Sequence, residues 1–121
     1  VAWMYANGKG TSQDFEEAVN WYTKSANQGY VHAQYNLANL YLRGDGVTQN
    51  DHLAFSWFLR AAEQGDAPAQ YNLGRMYLLG KGDDKNIIEG RFWIKQALEN
   101  NDEYIGILAQ QVWDDFKLGS Y

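Results

Sequence analysis

Few residues in this 121-residue chain have the types and spacing that suggest catalysis or metal binding. The two histidines, His32 and His52, lie in different predicted helices, and no carboxylate stands at metal-ligand spacing from either. Cysteine is absent, which excludes disulfides, thiolate ligands and a cysteine nucleophile. No serine lies in the glycine-flanked turn of a nucleophile elbow. We therefore predict no catalytic residues, no metal site and no cofactor, and a chain that is not an enzyme.

A Gly-x-Gly pattern occurs three times, beginning at Gly8, Gly44 and Gly80, and such a pattern can indicate phosphate binding. None of the three extends to Gly-x-Gly-x-x-Gly or to Gly-Lys-Ser/Thr, and none follows a predicted strand. Each instead ends an amphipathic segment, where glycine adopts the left-handed backbone of a helix C-cap without a Cβ penalty. We therefore interpret these loops as helix caps.

Composition limits the classes of partner. Ten basic and fifteen acidic residues give a net charge of −5, which argues against a nucleic-acid surface because phosphate binding depends on clustered Lys and Arg. No apolar run approaches the ~18 residues that a membrane span needs. The first residue, Val1, lies inside a predicted helix and no signal peptide is visible, so two readings stay open: a longer natural protein, or a deliberately short first unit.

The glycine loops belong to a 36-residue unit that the chain repeats without a gap, at residues 33–68 and 69–104. Ala33-Gln-Tyr-Asn-Leu37 returns as Ala69-Gln-Tyr-Asn-Leu73, and residues 1–32 match the same unit in truncated form. Each unit contains two amphipathic segments, here called helix A and helix B, and a fixed period of this length is typical of stacked helical hairpins. The sequence predicts one all-α solenoid domain of antiparallel helix pairs over residues 1–121.

Helix ends carry the expected capping residues. Helix A ends at the glycine loops, and Asp66 and Asp102 are placed to cap the next helix A, with Pro68 in its first turn. The predicted N-caps of helix B are Asp14, Asn50 and Asn86. Its predicted ends are Gly29, Gly65 and Asn101, residue types that accept the left-handed cap conformation.

Aromatic residues mark the predicted core of helix B. A tryptophan recurs once per unit on its apolar stripe, so we expect three equivalent buried anchors at Trp21, Trp57 and Trp93. Residues 103–118 lose the repeat consensus but keep a helical apolar stripe. We expect them to form a C-terminal capping helix over the last hairpin, because terminal units of a solenoid are atypical.

The repeated residues resemble the Sel-one-like repeat family, a tetratricopeptide-type repeat of about this length. The match rests on Ala33-Gln-Tyr-Asn-Leu37, Gly44-x-Gly46-Val47, Trp57-Phe58 and Ala61-Ala62-Glu63-Gln64-Gly65, and it covers roughly residues 1–104. The last unit departs from the pattern at Asp83, Gly90, Leu98 and Asn101. The resemblance implies a right-handed superhelix that scaffolds protein complexes, with no common ligand.

In tetratricopeptide-type solenoids helix A lines the concave side, which predicts where a partner would bind. The residues at one position of helix A, Trp3, Asn39 and Arg75, differ between units, so packing does not fix them. Tyr, Trp and Arg are common hot-spot residues of protein interfaces. The predicted partner-binding residues are Trp3, Tyr35, Asn39, Leu42, Arg43, Tyr71, Arg75 and Leu78.

We therefore expect a non-enzymatic adaptor that binds a partner protein or peptide on its concave face. Two alternatives stay open: a bacterial immunity or periplasmic partner protein that neutralises a secreted toxin enzyme, and a structural fragment of a longer solenoid. The open end near Trp21 predicts self-association that rises with concentration. The compartment stays open between the bacterial cytoplasm and the periplasm.

Overall fold

The computed structural model describes residues 12–120 and, within that range, is built from α-helices without strands. The helices are α1 (Ser12–Asn27), α2 (Val31–Arg43), α3 (Asp51–Glu63), α4 (Ala67–Leu79), α5 (Ile87–Glu99) and α6 (Glu103–Asp115), followed by a short 3-10 helix at Leu118–Ser120. Each helix packs against the next one along the chain, and α6 also contacts α4. Helices α2, α4 and α6 are the A helices of their units, and α1, α3 and α5 are the B helices. The predicted all-α solenoid is confirmed.

The prediction that the repeated tryptophans are equivalent buried anchors is wrong. Trp21 is 58% exposed, and Trp57 and Trp93 are only partly buried. The buried anchor is the next residue of each unit, of which Phe58 is 0% exposed. One residue on a helix is a rotation of about 100°, which moves each tryptophan to the edge of the apolar stripe.

The edge position gives Trp57 a different role from Phe58. Its ring packs against two core clusters, one that contains Phe58 and one that contains Leu37, and the Arg60 guanidinium lies 4.7 Å from the ring centroid. Phe58 lies in a core cluster that includes Ala54 of its own unit and Leu73 of the next, and the Tyr35 ring meets it edge-on at 5.8 Å. Trp57 therefore packs at the boundary of two core clusters, and Phe58 fills the interior of one of them.

Four of the predicted helix caps are confirmed by hydrogen bonds. The side chains of Asn50, Asn86, Asp66 and Asp102 each accept from the backbone N–H three residues later, at 3.0, 3.0, 3.1 and 2.9 Å. Each bond satisfies one of the N–H groups that a helix N-terminus leaves without an intrahelical partner. These caps fix where α3, α5, α4 and α6 begin.

Two other cap predictions are wrong. Asp14 lies within the first turn of α1, which begins at Ser12. Asn101 is not a left-handed cap, because α5 ends at Glu99 and its C-cap residue Asn100 has an extended backbone with φ of −73°. The amide of Asn100 instead donates to the Gly65 carbonyl at 2.9 Å. A contact between units therefore determines how α5 ends.

Buried glutamines connect consecutive units. Gln34 lies in the core, and its Nε2 donates to the Ala26 carbonyl at the end of α1 at 3.2 Å. Gln64 at the end of α3 donates to Gln34 Oε1 at 2.8 Å and to the Gly29 carbonyl at 3.1 Å. The next unit repeats this arrangement with Gln70, Ala62, Asn100 and Gly65. Because these buried amides have partners, they fix the orientation between units without an unsatisfied polar group.

In the two glycine loops that the structure describes, the second glycine lies directly against the preceding B helix. At Gly82, with φ of +79°, a Cβ would lie 2.5 Å from the Asp51 carbonyl oxygen and 2.7 Å from Phe55 Cβ. His52 on α3 donates from Nδ1 to the Gly82 carbonyl at 3.0 Å. Gly46 lies in the same way against Phe15 on α1. These glycines are therefore needed for close contact between units as well as for backbone conformation.

Helix α6 keeps the position of an A helix but has a polar outer side. Gln110 and Asp114 stand 36 residues after Gly74 and Leu78, which are buried, whereas both of these polar residues are exposed. Gln110 Nε2 donates to Asp114 Oδ1 at 3.0 Å. The surface of α4 on which α5 packs is therefore apolar, whereas the equivalent surface of α6 is polar.

The chain after α6 folds back onto α5. Leu118 is buried, and its carbonyl accepts from Arg91 Nε at 3.0 Å. The Arg91 guanidinium also lies 5.0 Å from the Trp113 ring centroid.

No helix in the described range 12–120 has the length and apolar character that crossing a membrane requires.

Candidate functional site

The structure divides the predicted partner-binding residues between surface and packing positions. Arg75 on α4 is exposed and Asn39 on α2 is half-buried, and they occupy equivalent positions of successive A helices. Tyr35 and Tyr71 are half-buried and pack against the cores of their own units. The tyrosines thus act mainly in packing, while Asn39 and Arg75 leave polar groups available at the surface.

Tyr71 also positions Arg75. The guanidinium of Arg75 lies 5.5 Å from the Tyr71 ring centroid, one helical turn away on the same side of α4. A cation over an aromatic face is attracted by the negative face of the ring. This contact restricts the arginine side chain before any partner arrives, which lowers the conformational entropy that binding would cost.

A small cleft between α2 and α4 brings two of the predicted residues together. Leu42 contributes one wall and Arg75 the other, and the cleft has a volume of about 70 Å³. Asn72, Leu79 and the loop residue Lys81 lie at its rim, and the buried side chains of Phe58 and Met76 lie at its floor. The cleft therefore combines aliphatic surface, a side-chain amide and two cations at one place.

The prediction that Leu78 contacts a partner is wrong, because its side chain is only 1% exposed. A Cβ added to Gly90 on α5 would lie only 2.6 Å from Leu78 Cδ2. The leucine side chain therefore uses the space that a side chain at position 90 would need. The preceding unit has Ala54 at the position of Gly90, and there the equivalent Leu42 stays half-buried beside the cleft. Loss of one methyl group on α5 thus lets Leu78 sink into the core.

Arg43, which was also predicted, does not line the cleft. Arg43 is exposed, and its Nε pairs with Asp45 Oδ2 at 3.5 Å. An exposed pair of this kind contributes little to stability. Trp3 lies outside the residues that the structure describes.

Comparison with known proteins identifies the repeat. The family model for the Sel1 repeat matches three consecutive segments, residues 1–30, 31–66 and 67–102. The chain belongs to the Sel1 repeat family. Proteins with these repeats generally act as protein-interaction modules and are typically not enzymes. The matched units keep the 36-residue period and begin two residues before the units at 33–68 and 69–104.

Solved structures of bacterial proteins resemble this Sel1-repeat chain over most of its length. A protective antigen of uropathogenic Escherichia coli strains with an SLR fold is 36% identical, with a TM-score of 0.79 over 86% of this chain and 22% of that one. A Sel1 repeat protein from Oxalobacter formigenes is 34% identical, with a TM-score of 0.81 over 93% of this chain and 46% of that one. The chain therefore spans less than half the length of either protein.

A more distant structure supports the fold alone. Cysteine rich protein B of Helicobacter pylori is 19% identical, with a TM-score of 0.72 over 84% of this chain and 74% of that one. A search of curated proteins found no significant match.

The two cations of the cleft, Arg75 and Lys81, have different surroundings from Arg60 and Arg91 of this Sel1-repeat chain. Arg60 lies over Trp57, and Arg91 is engaged by Trp113 and the Leu118 carbonyl. Within residues 12–120, neither Arg75 nor Lys81 has a carboxylate at ion-pair distance. The lining of the cleft thus contains two cations and no carboxylate, on a chain whose net charge is −5.

Besides the buried Phe58 and Met76, three residues that line the cleft were not predicted as partner-binding residues from the sequence. Leu79 and Lys81 stand where the preceding unit has Arg43 and Asp45, so the variation between units that pointed to Arg75 also marks them. Asn72 repeats Asn36, and variation gives no signal there. The structure places it in the lining of the cleft with Arg75.

A second surface depression lies on the outer side of α5. It is lined by residues of that one helix, among them Ile88, Phe92 and Lys95, and Ile88 is 81% exposed. Because residues of a single helix line this depression, no second helix encloses it from the other side. The cleft between α2 and α4 has two walls and a floor, which makes it the better candidate for specific binding. Within the described residues, no group of acidic and histidine side chains could hold a metal ion.

Proposed function

We propose that this Sel1-repeat chain binds a segment of a partner protein along the exposed side of α2 and α4 and has no catalytic activity of its own. In tetratricopeptide-type solenoids this side of the A helices is the concave one, where a bound segment touches several units at once. Binding there would use shape and side-chain display without chemistry. Family membership supports the general role, and the cleft supports the location.

One observation carries the proposal: the cleft combines exposed aliphatic surface with an arginine that an aromatic ring already orients. Leu79 is 52% exposed, and Arg75 stands one turn before it on the same helix. Arginine and apolar anchors in a concave, partly desolvated setting are the usual composition of interface hot spots.

The test begins with short random peptides displayed on phage and selected against the full chain. Affinities of the selected peptides are then measured by calorimetry against single variants. Arg75→Ala is expected to weaken binding by ~2 kcal/mol, as for an interface hot spot, and Asn39→Ala to weaken it less. Both side chains reach solvent, so the melting temperature is expected to change little.

Two variants on B helices serve as controls. Lys24→Ala on α1 and Arg60→Ala on α3 remove an exposed cation, as Arg75→Ala does, but away from the cleft. We expect them to leave affinity unchanged. Peptides that lose affinity with Lys24→Ala or Arg60→Ala but not with Arg75→Ala or Asn39→Ala would show that binding uses the opposite surface.

A further inference from the structure

We infer that the segment recognised at the cleft carries an acidic side chain next to an aliphatic one, with the carboxylate at Arg75 and Lys81 and the aliphatic group between Leu42 and Leu79. This inference rests on the proposed function and specifies the chemistry of the partner. The partner is a protein segment in extended conformation.

Charge complementarity supports the acidic residue. Arg75 and Lys81 are both exposed at the rim of the cleft, and neither is paired with a carboxylate in the described part of the chain. A planar guanidinium can form two parallel hydrogen bonds to one carboxylate, and the Tyr71 ring holds it in place for that contact. A partner carboxylate therefore meets an oriented donor with a second cation nearby.

The size and lining of the cleft support the aliphatic residue. The cleft is small, with a volume of about 70 Å³, and its lining offers apolar surface to a partner side chain. Leu42 and Leu79 supply apolar walls, and Phe58 supplies an apolar floor. A small aliphatic side chain removes this surface from water.

Asn72 supplies the remaining polar contact. Its side chain lies at the rim on α4, one turn before Arg75. A side-chain amide can both donate to a carbonyl and accept from an N–H, which suits the backbone of an extended segment. This contact would set the register that places the two partner side chains.

The same combination does not recur in the next interval of the solenoid. Gln111 and Asp115 on α6 stand 36 residues after Arg75 and Leu79, and Gln111 Nε2 donates to Asp115 Oδ1 at 3.5 Å. A carboxylate there would repel an acidic segment. The structure therefore assigns the acidic partner residue to the interval between α2 and α4.

The experiment uses the selected peptides in acetylated and amidated form, so that side chains supply the only carboxylates. We expect the selected pool to be enriched in Asp or Glu beside Leu, Ile or Val. Arg75→Glu is expected to reduce the affinity for the selected peptides on the order of tenfold or more. A peptide in which Lys replaces the acidic residue is expected to bind the Arg75→Glu variant more tightly than the original peptide does. Binding is also expected to weaken with added salt.

Lys95→Glu on the outer side of α5 is the matched control, because it makes the same change in net charge away from the cleft. Equal losses for Lys95→Glu and Arg75→Glu would overturn the inference by showing a nonspecific charge effect. So would binding that requires a free peptide C-terminus.

The two proposals fail differently. Selected peptides that lack acidic residues but still depend on Asn39 and Arg75 would overturn this inference and leave the proposed function intact. Peptides that depend on Lys24 or Arg60 instead would overturn both.

Discussion

The side-chain amide of Gln64 at the end of α3 donates to Gln34 Oε1 on α2 at 2.8 Å, across an interval of 30 residues. Gln34 in turn donates to the Ala26 carbonyl at the end of α1. Three helices of two units are thus connected through one buried amide, and no side-chain polar atom buried in the described residues lacks a partner. Orientation between units in this solenoid depends on this polar contact as well as on apolar packing.

Gln34→Leu is expected to destabilise the protein by about 1–3 kcal/mol, because it leaves the Ala26 carbonyl and the Gln64 amide without their buried partner. Gln28→Ala is the control, because Gln28 is an exposed glutamine, and the change is expected to lower the free energy of unfolding by less than about 0.5 kcal/mol. Urea denaturation measures both. Similar values for the two variants would show that the buried amide has no special role.

Phe58→Ala is expected to cost roughly 3–5 kcal/mol, since it empties a fully buried ring position in the core. Trp21→Ala removes a larger ring that is mostly exposed and is expected to cost much less. Thermal unfolding compares the two. Greater destabilisation by Trp21→Ala would restore the sequence-based view that the tryptophans are the core anchors.

Gly82→Ala is expected to destabilise more than Gly65→Ala. Both glycines have positive φ, of +79° and +90°, so both variants pay the ~1–2 kcal/mol that a left-handed backbone costs an L-residue. Only at Gly82 would the new Cβ collide with α3, because nothing lies within 4 Å of the corresponding position at Gly65. Chemical denaturation of the pair isolates the contact between units, and equal losses would argue against it.

Asp66→Asn tests the pH dependence of one helix cap. Burial raises the pKa of Asp66 above 3.8, and the lowering by the Ala69 N–H and by His32 does not cancel this effect. The folded state therefore binds the proton more tightly than the unfolded state. The resulting stability is present below pH 3.8 and is lost as pH rises through the raised pKa.

Asparagine accepts the same hydrogen bond, as it does at Asn50 and Asn86, without carrying the charge. Relative to the wild type, Asp66→Asn is thus expected to gain stability as pH rises from 3.8 toward neutrality. Asp66→Ala lacks the acceptor and is expected to cost about 1 kcal/mol. The urea midpoints of unfolding at a series of pH values measure these differences in stability. A difference between the wild type and Asp66→Asn that does not change with pH would contradict the expectation.

The sequence predicted the solenoid and many helix ends because the same local rules act in every unit. Cap residues such as Asn50 and Asp66 act through the next turn of their own helix, so their types and positions suffice. The burial of Trp21 could not be predicted in this way. Its position on the helix stripe shows which side it faces, but not whether a neighbouring unit covers that side.

The candidate site shows the same limit. Variation between units pointed to Arg75, and the structure places it beside Leu42 in the cleft. The different fates of Leu42 and Leu78 depend on one methyl group, present in Ala54 and absent in Gly90, on a helix more than ten residues away along the chain. Periodicity treats the two leucines as equivalent, and only packing separates them.

The polar pair on α6 has a consequence for anyone who wishes to lengthen this solenoid by design. A copied hairpin attached behind α6 would have to lay an apolar B helix on Gln110 and Asp114, which would bury an amide and a carboxylate without new partners. A copy inserted between residues 66 and 67 would instead have a repeat unit on each side. Its helices would pack on surfaces with small buried residues, such as Ala38 and Gly74, and could form the same glutamine contacts. Array length is thus best varied by insertion between residues 66 and 67, with α6 left unchanged.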